Sequence, residues 1–287
     1  MKLAPRCYEC LHRLAQQAVE LATDDTALRQ KAITEALNIL NNDFSPSKLS
    51  IEIATKIHQI VREITGNPDH YRAIKEKEML LARELYIELS LRAEVASGKA
   101  CRSEFRHYLK LAAAANAIDF FREFGAIKED IRKPVTFVLD DSERLQAKLK
   151  TARKILYLAD NAGEVYFDLP LVKWMRQFAH VIYVVKPAPV QNDLTLDDFK
   201  RAGLESELGD VITTGVASPG IVFSLASAEF KREFESADLI FAKGMGHYEA
   251  LSELPQKGAF FYCLKAKCHP VADSLGVPVN SYVALLQ

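Results

Sequence analysis

The chain has no long apolar run: nowhere do its 287 residues approach the roughly 18 uninterrupted hydrophobic residues that a membrane-spanning helix needs. Its start, MKLAPRCYEC, lacks the apolar stretch and small-residue cleavage site of a secretory signal, so the expected compartment is the cytoplasm. Net charge is almost absent too. Its 37 Lys and Arg against 38 Asp and Glu leave −1, and without an excess of clustered cations there is no general pull toward nucleic acid. Cysteine is scarce and odd in number, and Cys7, Cys10, Cys101, Cys263 and Cys268 do not make a disulfide framework. They read as thiols or, in part, as metal ligands. No repeat period and no low-complexity tract is present. What remains, 49% hydrophobic and 26% charged, is ordinary globular composition with enough chain for one large or two closely packed domains.

Strand signals are missing up to roughly residue 130. Leu11, Leu14, Ala15, Ala18 and Ala22 form one apolar stripe at helical spacing, and Ile53, Ile57, Ile60, Val61 and Ile64 form another that stops at Gly66 with Pro68 beyond. A long helix is predicted from about Asp69 to Ser97, closed by Gly98, and a further one over SEFRHYLKLAAAANAIDFFREFG, ending at Gly125. Residues 1–130 therefore read as a helical bundle domain. From about residue 150 the pattern becomes short β-branched and aromatic runs, KILYLA, VIYVV, VITT, LIFA and FFYCL, separated by helical stretches. That alternation predicts right-handed βαβ units and a mostly parallel sheet, an α/β domain over residues 131–287. The junction falls in IRKPVTFVLDDSERL, where Pro134 breaks what precedes it and PVTFVL is either linker or strand.

In open parallel sheets ligands sit outside the carboxyl ends of the strands, so the residue after each apolar run is where chemistry is expected. Asp160 and Asn161 follow the first run, Lys186 and then QND with Asp193 the second, and TGVASPG, carrying Thr214, Gly215 and Ser218, the third. Lys243 and Gly244 follow the fourth, Lys265 and Lys267 the fifth. Hard divalent cations such as Mg²⁺ or Mn²⁺ take carboxylate and amide oxygens. Asp160, Asn161 and Asp193 supply such a half-shell, with Lys243 and the Gly215–Gly220 turn placed to hold a phosphate opposite. Each element has a plainer reading. Asp160 suits the N-cap of the next helix, Lys243 a solvated turn and TGVASPG an ordinary loop. Asp193 is less easily explained, because Thr195 and Asp198 already form a capping box. The functional reading rests on convergence.

DNAGEVYFD, PVQND, TTGVASPG, FAKGMGHYEAL and LKAKC, in that order, resemble the metal-dependent damage-control phosphatase family, formerly filed as domain of unknown function 89. GNPDHYRAIKEKE and AAANAIDF extend the resemblance into the helical half, and Cys7 with Cys10 matches the CxxC of the family's prokaryotic branch. The resemblance implies a helical domain on a Rossmann-like α/β/α core. It implies one divalent cation on Asp160, Asn161 and Asp193, with Mn²⁺, Ni²⁺, Co²⁺ or Mg²⁺ supporting removal of phosphate from small metabolites such as damaged nucleotides or sugar phosphates. It assigns Lys243 to phosphate contact, and it puts Asn116 and Asp119, on the last helix of the bundle, near the same cleft. Pro170 departs from the family pattern and predicts that the helix after GE restarts at Asp168.

Within this reading Gly163 lets backbone approach the ligand. Glu164 either orients the attacking water, as a catalytic partner of Asp160 and Lys243, or compensates a helix dipole. Attack by water and attack by Asp160 through a phosphoenzyme both remain open. Cys7 and Cys10 read as packing thiols, or as metal ligands with Cys268 and His269. Two other classes stand beside the phosphatase. A cofactor-dependent methyltransferase lacks its GxGxxG after the first strand, and a redox or metal module would rest on the CxxC alone.

Overall fold

The structure is a computed structural model that describes residues 1–96, 104–119, 121–254 and 258–287. Gly98 and Cys101 lie outside the described residues. Among the described residues six helices precede the first strand: α1 Cys7–Ala22, α2 Thr26–Asp43, α3 Ser50–Thr65, α4 Arg72–Ala96, α5 Glu104–Ala115 and α6 Phe124–Arg132. The two predicted stripes meet here, as Leu11, Leu14, Ala15, Ala18 and Ala22 of α1 share one buried cluster with Ile53, Ile57 and Val61 of α3. The Ala112–Ala115 run lets α5 lie close against the sheet region, and all four alanines are buried. Its helix ends ten residues before the predicted Gly125, at Ala115. Asn116 and Asp119 therefore stand on the irregular segment beyond α5, not on a helix, which frees their side chains to reach neighbouring elements.

Seven strands form one mixed sheet: β1 Phe137–Asp140, β2 Lys154–Leu158, β3 His180–Val185, β4 Val211–Thr213, β5 Leu239–Lys243, β6 Ala259–Lys265 and β7 Tyr282–Leu286. Their order is β1-β7-β6-β5-β2-β3-β4, and every pairing is parallel except β6 with β7. The five predicted runs are β2 to β6, and PVTFVL supplies the first three residues of β1, Phe137 to Leu139. The terminal β7 carries no signal of its own beyond YVALL.

The two-residue period of a strand explains why these runs are apolar throughout. Ile155, Tyr157, Val181, Tyr183, Leu239 and Phe241 enter the cluster on one face. Their neighbours Leu156, Leu158, Ile182, Val184, Ile240 and Ala242 enter the cluster on the other. Helices α7 Ser142–Leu149, α8 Val165–Met175, α9 Leu196–Arg201, α10 Glu205–Leu208, α11 Ala228–Ser236, α12 Gly244–Leu251 and α13 His269–Leu275 complete the chain. Helix α8 does not restart at Asp168. It begins at Val165 and keeps Pro170 inside, where a proline costs the bond to the carbonyl four residues back. A single 3₁₀ turn, Ala162–Glu164, precedes it. The chain runs from β2 outward to β3 and β4, then returns to β5 on β2's other side, so strand order reverses between β2 and β5. That reversal opens a crevice at the strands' carboxyl ends. No helix among the described residues is long and apolar enough to cross a membrane.

Candidate active site

Asp160 follows β2 directly and lies at that reversal. Its Oδ2 accepts from Asn116 Nδ2 at 2.9 Å. Helix α12 opens on Gly244 at φ 76°, and a Cβ there would lie 1.9 Å from Asp160 Oδ2. Gly244 is thus a requirement of the carboxylate's position, for conformation and for space alike. Burial first, then Glu164 and Asp193, hold the Asp160 carboxyl well above the usual range.

Asp193 reaches the same place because the loop after β3 folds back on the β2 end. Leu194 N donates to Asp160 O at 2.9 Å and Ala162 N to Asn192 O at 2.8 Å, while Asn161 and Asp193 form an antiparallel bridge. The predicted capping box is present: Asp198 N donates to Thr195 Oγ1 at 3.1 Å, and Thr195 N to Asp198 Oδ2 at 3.2 Å. Asp193 is free of that duty. It is 3% exposed, its Oδ2 has no hydrogen-bond partner, and Lys186 Nζ stands 3.5 Å from that oxygen. Burial raises Asp193 to about 6 against the pull of Lys186, and burial lowers Lys186.

Beneath this pair lies a closed network. Glu164 Oε1 accepts from Asn116 Nδ2 at 2.8 Å and from Asn161 Nδ2 at 2.7 Å. Glu164 Oε2 accepts from Lys243 Nζ at 2.7 Å. Lys243 departs from its predicted place at the rim. It is the last residue of β5, fully buried, and its other protons go to Asp168 Oδ1 and the Ala112 carbonyl, both at 2.8 Å. An ammonium has three protons, so none is left for a phosphate. Burial works to lower Lys243, but Asp168 and Glu164 overcome it and hold the group raised. Gly163 has a packing reason of its own, since a Cβ there would stand 3.0 Å from Ile118 Cδ1 and 3.1 Å from the Glu78 carbonyl.

Asp160, Asn161 and Asp193 line one wall of a cleft of about 430 Å³, and Asp119, Arg122, Lys265 and Lys267 line another part of it. Lys267 Nζ donates to Ile118 O at 2.9 Å and lies 3.3 Å from Asp119. Lys265 Nζ and Arg122 Nη2 share Asp130 at 3.0 and 2.8 Å. Asn116 is buried behind Asp160, its Oδ1 accepting from Lys265 N at 2.9 Å. Thr214, Gly215 and Ser218 are not among the lining residues. The Thr214 hydroxyl donates to Val216 O, the Ser218 hydroxyl accepts from Val222 N, and a Cβ on Gly215 would strike Ser227. Their loop instead presents Pro219 and Gly220 to the cleft. Cys10 and Cys268 also line it, Cys7 is buried, and burial raises all three thiols, Cys268 to about 12.

The donor set suits a hard cation: two carboxylates and one amide, with one buried carboxylate oxygen lacking a hydrogen-bond partner and burial raising both acids. With Asn161 Nδ2 committed to Glu164, its Oδ1 is the atom left for a ligand. Among the described residues no three or more His, Cys, Asp or Glu side chains form a metal-holding group, so the set depends on the amide. No role was legible in the sequence for Glu78 and Asn192, for Lys186 beyond its place at a strand end, or for Gly244 as a steric requirement. Glu78, Asn192 and Lys186 all stand in or beside quoted motifs, but which polar residues become buried is set by the packing of distant segments.

Residues 3–283 match the damage-control phosphatase ARMT1-like domain. The chain is 35% identical to a damage-control phosphatase of Pyrococcus horikoshii over 99% of its own length and 98% of the relative's. It is 32% identical to a damage-control phosphatase of Archaeoglobus fulgidus, covering 99% of each chain. A crystal structure of a P. horikoshii protein of the DUF89 family superposes with a TM-score of 0.86 at 33% identity over 99% of both chains. The chain belongs to the ARMT1-like damage-control phosphatase family.

Proposed function

We propose that the protein is a metal-dependent phosphatase that hydrolyses phosphomonoesters of small metabolites, damaged nucleotides or sugar phosphates. One observation carries this reading: Asp160, Asn161 and the buried Asp193, at the β2 and β3 ends, line a single cleft together with Lys265, Lys267 and Arg122. Asp160, Asn161 and Asp193 would hold Mn²⁺, Ni²⁺, Co²⁺ or Mg²⁺. When bound, the cation supplies electrophilic stabilisation of the phosphoryl group.

The chain's own residues do the rest. Lys267 and Lys265 take the phosphoryl oxygens in the role first expected of Lys243, and Asp119 sets the Lys267 ammonium. Asn116 fixes Asp160, and Glu164 orients Asn161. Lys243 holds Glu164 in place from below, while Thr214, Gly215 and Ser218 shape the turn that brings Gly220 to the cleft. The assignment to the CxxC-bearing prokaryotic branch, the Rossmann-like core, the division at 1–130 and 131–287, and a cytoplasmic setting without nucleic-acid or membrane partners belong to the same proposal. The strand order about β2 and the separate α1–α3 cluster support the fold part.

The test is an assay over a panel of phosphometabolites with and without divalent metal. The expected outcome is hydrolysis that stops on chelation and returns with Mn²⁺ or a substitute cation. Full turnover after exhaustive chelation would sink the metal reading, and no hydrolysis of any phosphomonoester at any metal would sink the phosphatase.

A further inference from the structure

Helix α4 touches both halves of the candidate site at one residue. The Glu78 carbonyl would stand 3.1 Å from a Cβ at Gly163, in the 3₁₀ turn after Asn161. Its side chain accepts from Asn192 Nδ2 at 2.8 Å, and Asn192 precedes Asp193. Asn192 is fully buried, and its carbonyl takes the Ala162 N–H at 2.8 Å. Glu78, the 3₁₀ turn and the Asp193 loop are therefore tied through a single asparagine. The same side of the molecule holds that loop twice more. Arg62 Nη1 donates to Pro189 O at 2.8 Å, and Lys75 Nζ lies 2.8 Å from Asp69 and from Asp198. Those two contacts bracket Asp193 in sequence, and Glu78 reaches the residue beside it.

We propose that Glu78 is a positioning residue: by holding the Asn192 amide it sets the Asp193 carboxylate against Asp160 and Asn161. It is 1% exposed and is not among the residues lining the cleft, so it acts through Asn192 and not on substrate. Asn192 Oδ1 has no hydrogen-bond partner, which leaves the bond to Glu78 as the contact fixing that side chain's orientation. The idea rests on reading Asp160, Asn161 and Asp193 as a cation site, where outer partners of this kind orient the ligands.

The test compares Glu78→Ala, Glu78→Gln and, as a control on the exposed face of the same helix, Leu80→Ala. Three quantities are read: Mn²⁺ affinity by titration calorimetry with the metal alone, backbone hydrogen exchange over residues 187–194 in metal-free protein, and thermal melting. Glu78→Ala is expected to weaken Mn²⁺ binding at least about tenfold and to speed exchange over 187–194. Glu78→Gln keeps an acceptor for Asn192 Nδ2 and restores both. Leu80→Ala matches wild type. Unchanged affinity and exchange in Glu78→Ala overturns the proposal. Equal losses in Ala and Gln with collapsed melting overturn it too, because the side chain then serves packing only. If wild-type protein takes up no Mn²⁺, the metal reading fails and exchange decides alone: faster exchange in Ala, reversed in Gln, supports the tie, and unchanged exchange rejects it.

Discussion

Asp160 stands where three carboxylates crowd one place. Its folded pKa is raised by burial, Glu164 and Asp193, so the folded state favours the proton, and stability is lost as pH climbs from the unfolded value through the folded one. Asp160→Asn removes the charge and keeps an acceptor for Asn116 Nδ2. In metal-free protein at pH 8 it should therefore raise Tm by at least about 2 °C, with a smaller gain at pH 5, while Mn²⁺ uptake and turnover vanish. A lower Tm at pH 8 would show that the charge is compensated without metal. Lys243 has the opposite character. Lys243→Met leaves Glu164 and Asp168, both fully buried, without their shared cation. Urea unfolding should show a loss of about 3–5 kcal/mol, the cost of breaking a buried ion pair. Near wild-type stability with lost activity would return Lys243 to phosphate binding.

Helix α12 begins one residue after β5 ends, and the join is where element and site meet. Gly244→Ala places a Cβ 1.9 Å from Asp160 Oδ2 in a backbone at φ 76°. Either the helix start or the carboxylate must move, and a shift of about 1 Å at a reacting centre costs on the order of 10²-fold in rate. Steady-state kinetics at saturating Mn²⁺ should show that loss, and wild-type kcat would mean the carboxylate's place is unimportant. At this scale β2 to β6 were legible because a strand buried on both faces must be apolar at every position. Less was legible at the ends of α5 and α8. Ala-rich sequence continues a helix by propensity, yet Asn116 leaves it for three partners on neighbouring elements, Asp160, Glu164 and Lys265 N. Pro170 suggests a break, yet packing of Val165, Phe167, Leu169 and Leu171 keeps α8 whole.

Across the whole molecule the helical region acts on the sheet region through buried polar contacts near α3 and α4. Close to them His58 Nδ1 and His70 Nε2 meet at 3.2 Å, and their other ring nitrogens have no hydrogen-bond partner. Burial, with Arg62 and Lys75 nearby, lowers His70 to about 4, and burial with His70 lowers His58 well below its usual value. A depressed folded pKa means the unfolded chain takes the proton first. Stability is then complete above about pH 6.5 and falls as pH drops toward 4, by about 3 kcal/mol for His70. Tm measured across that window should decline in wild type and decline less in His70→Gln. Parallel curves would show that the pair does not govern acid stability.

What the sequence by itself determined was everything that depends on local pattern and on chemistry at fixed spacing. That covers the helical first half, the parallel strands, and an acid and amide at the end of β2 with a second acid after β3. Only the tertiary structure decided which of these groups line the cleft and which are buried behind it. Lys243 and Lys267 are both lysines at strand ends, and nothing within a few residues of either tells that the first points into a cage of acceptors and the second lines the cleft. Glu78 and Asp193 are separated by more than a hundred residues and meet through Asn192 because α4 packs on the turn after β2. The physical reason is the same in each case. Burial and partner choice arise from segments distant in the chain, so the same residue type becomes a ligand, a buried counter-ion or a solvated charge according to what the fold places around it.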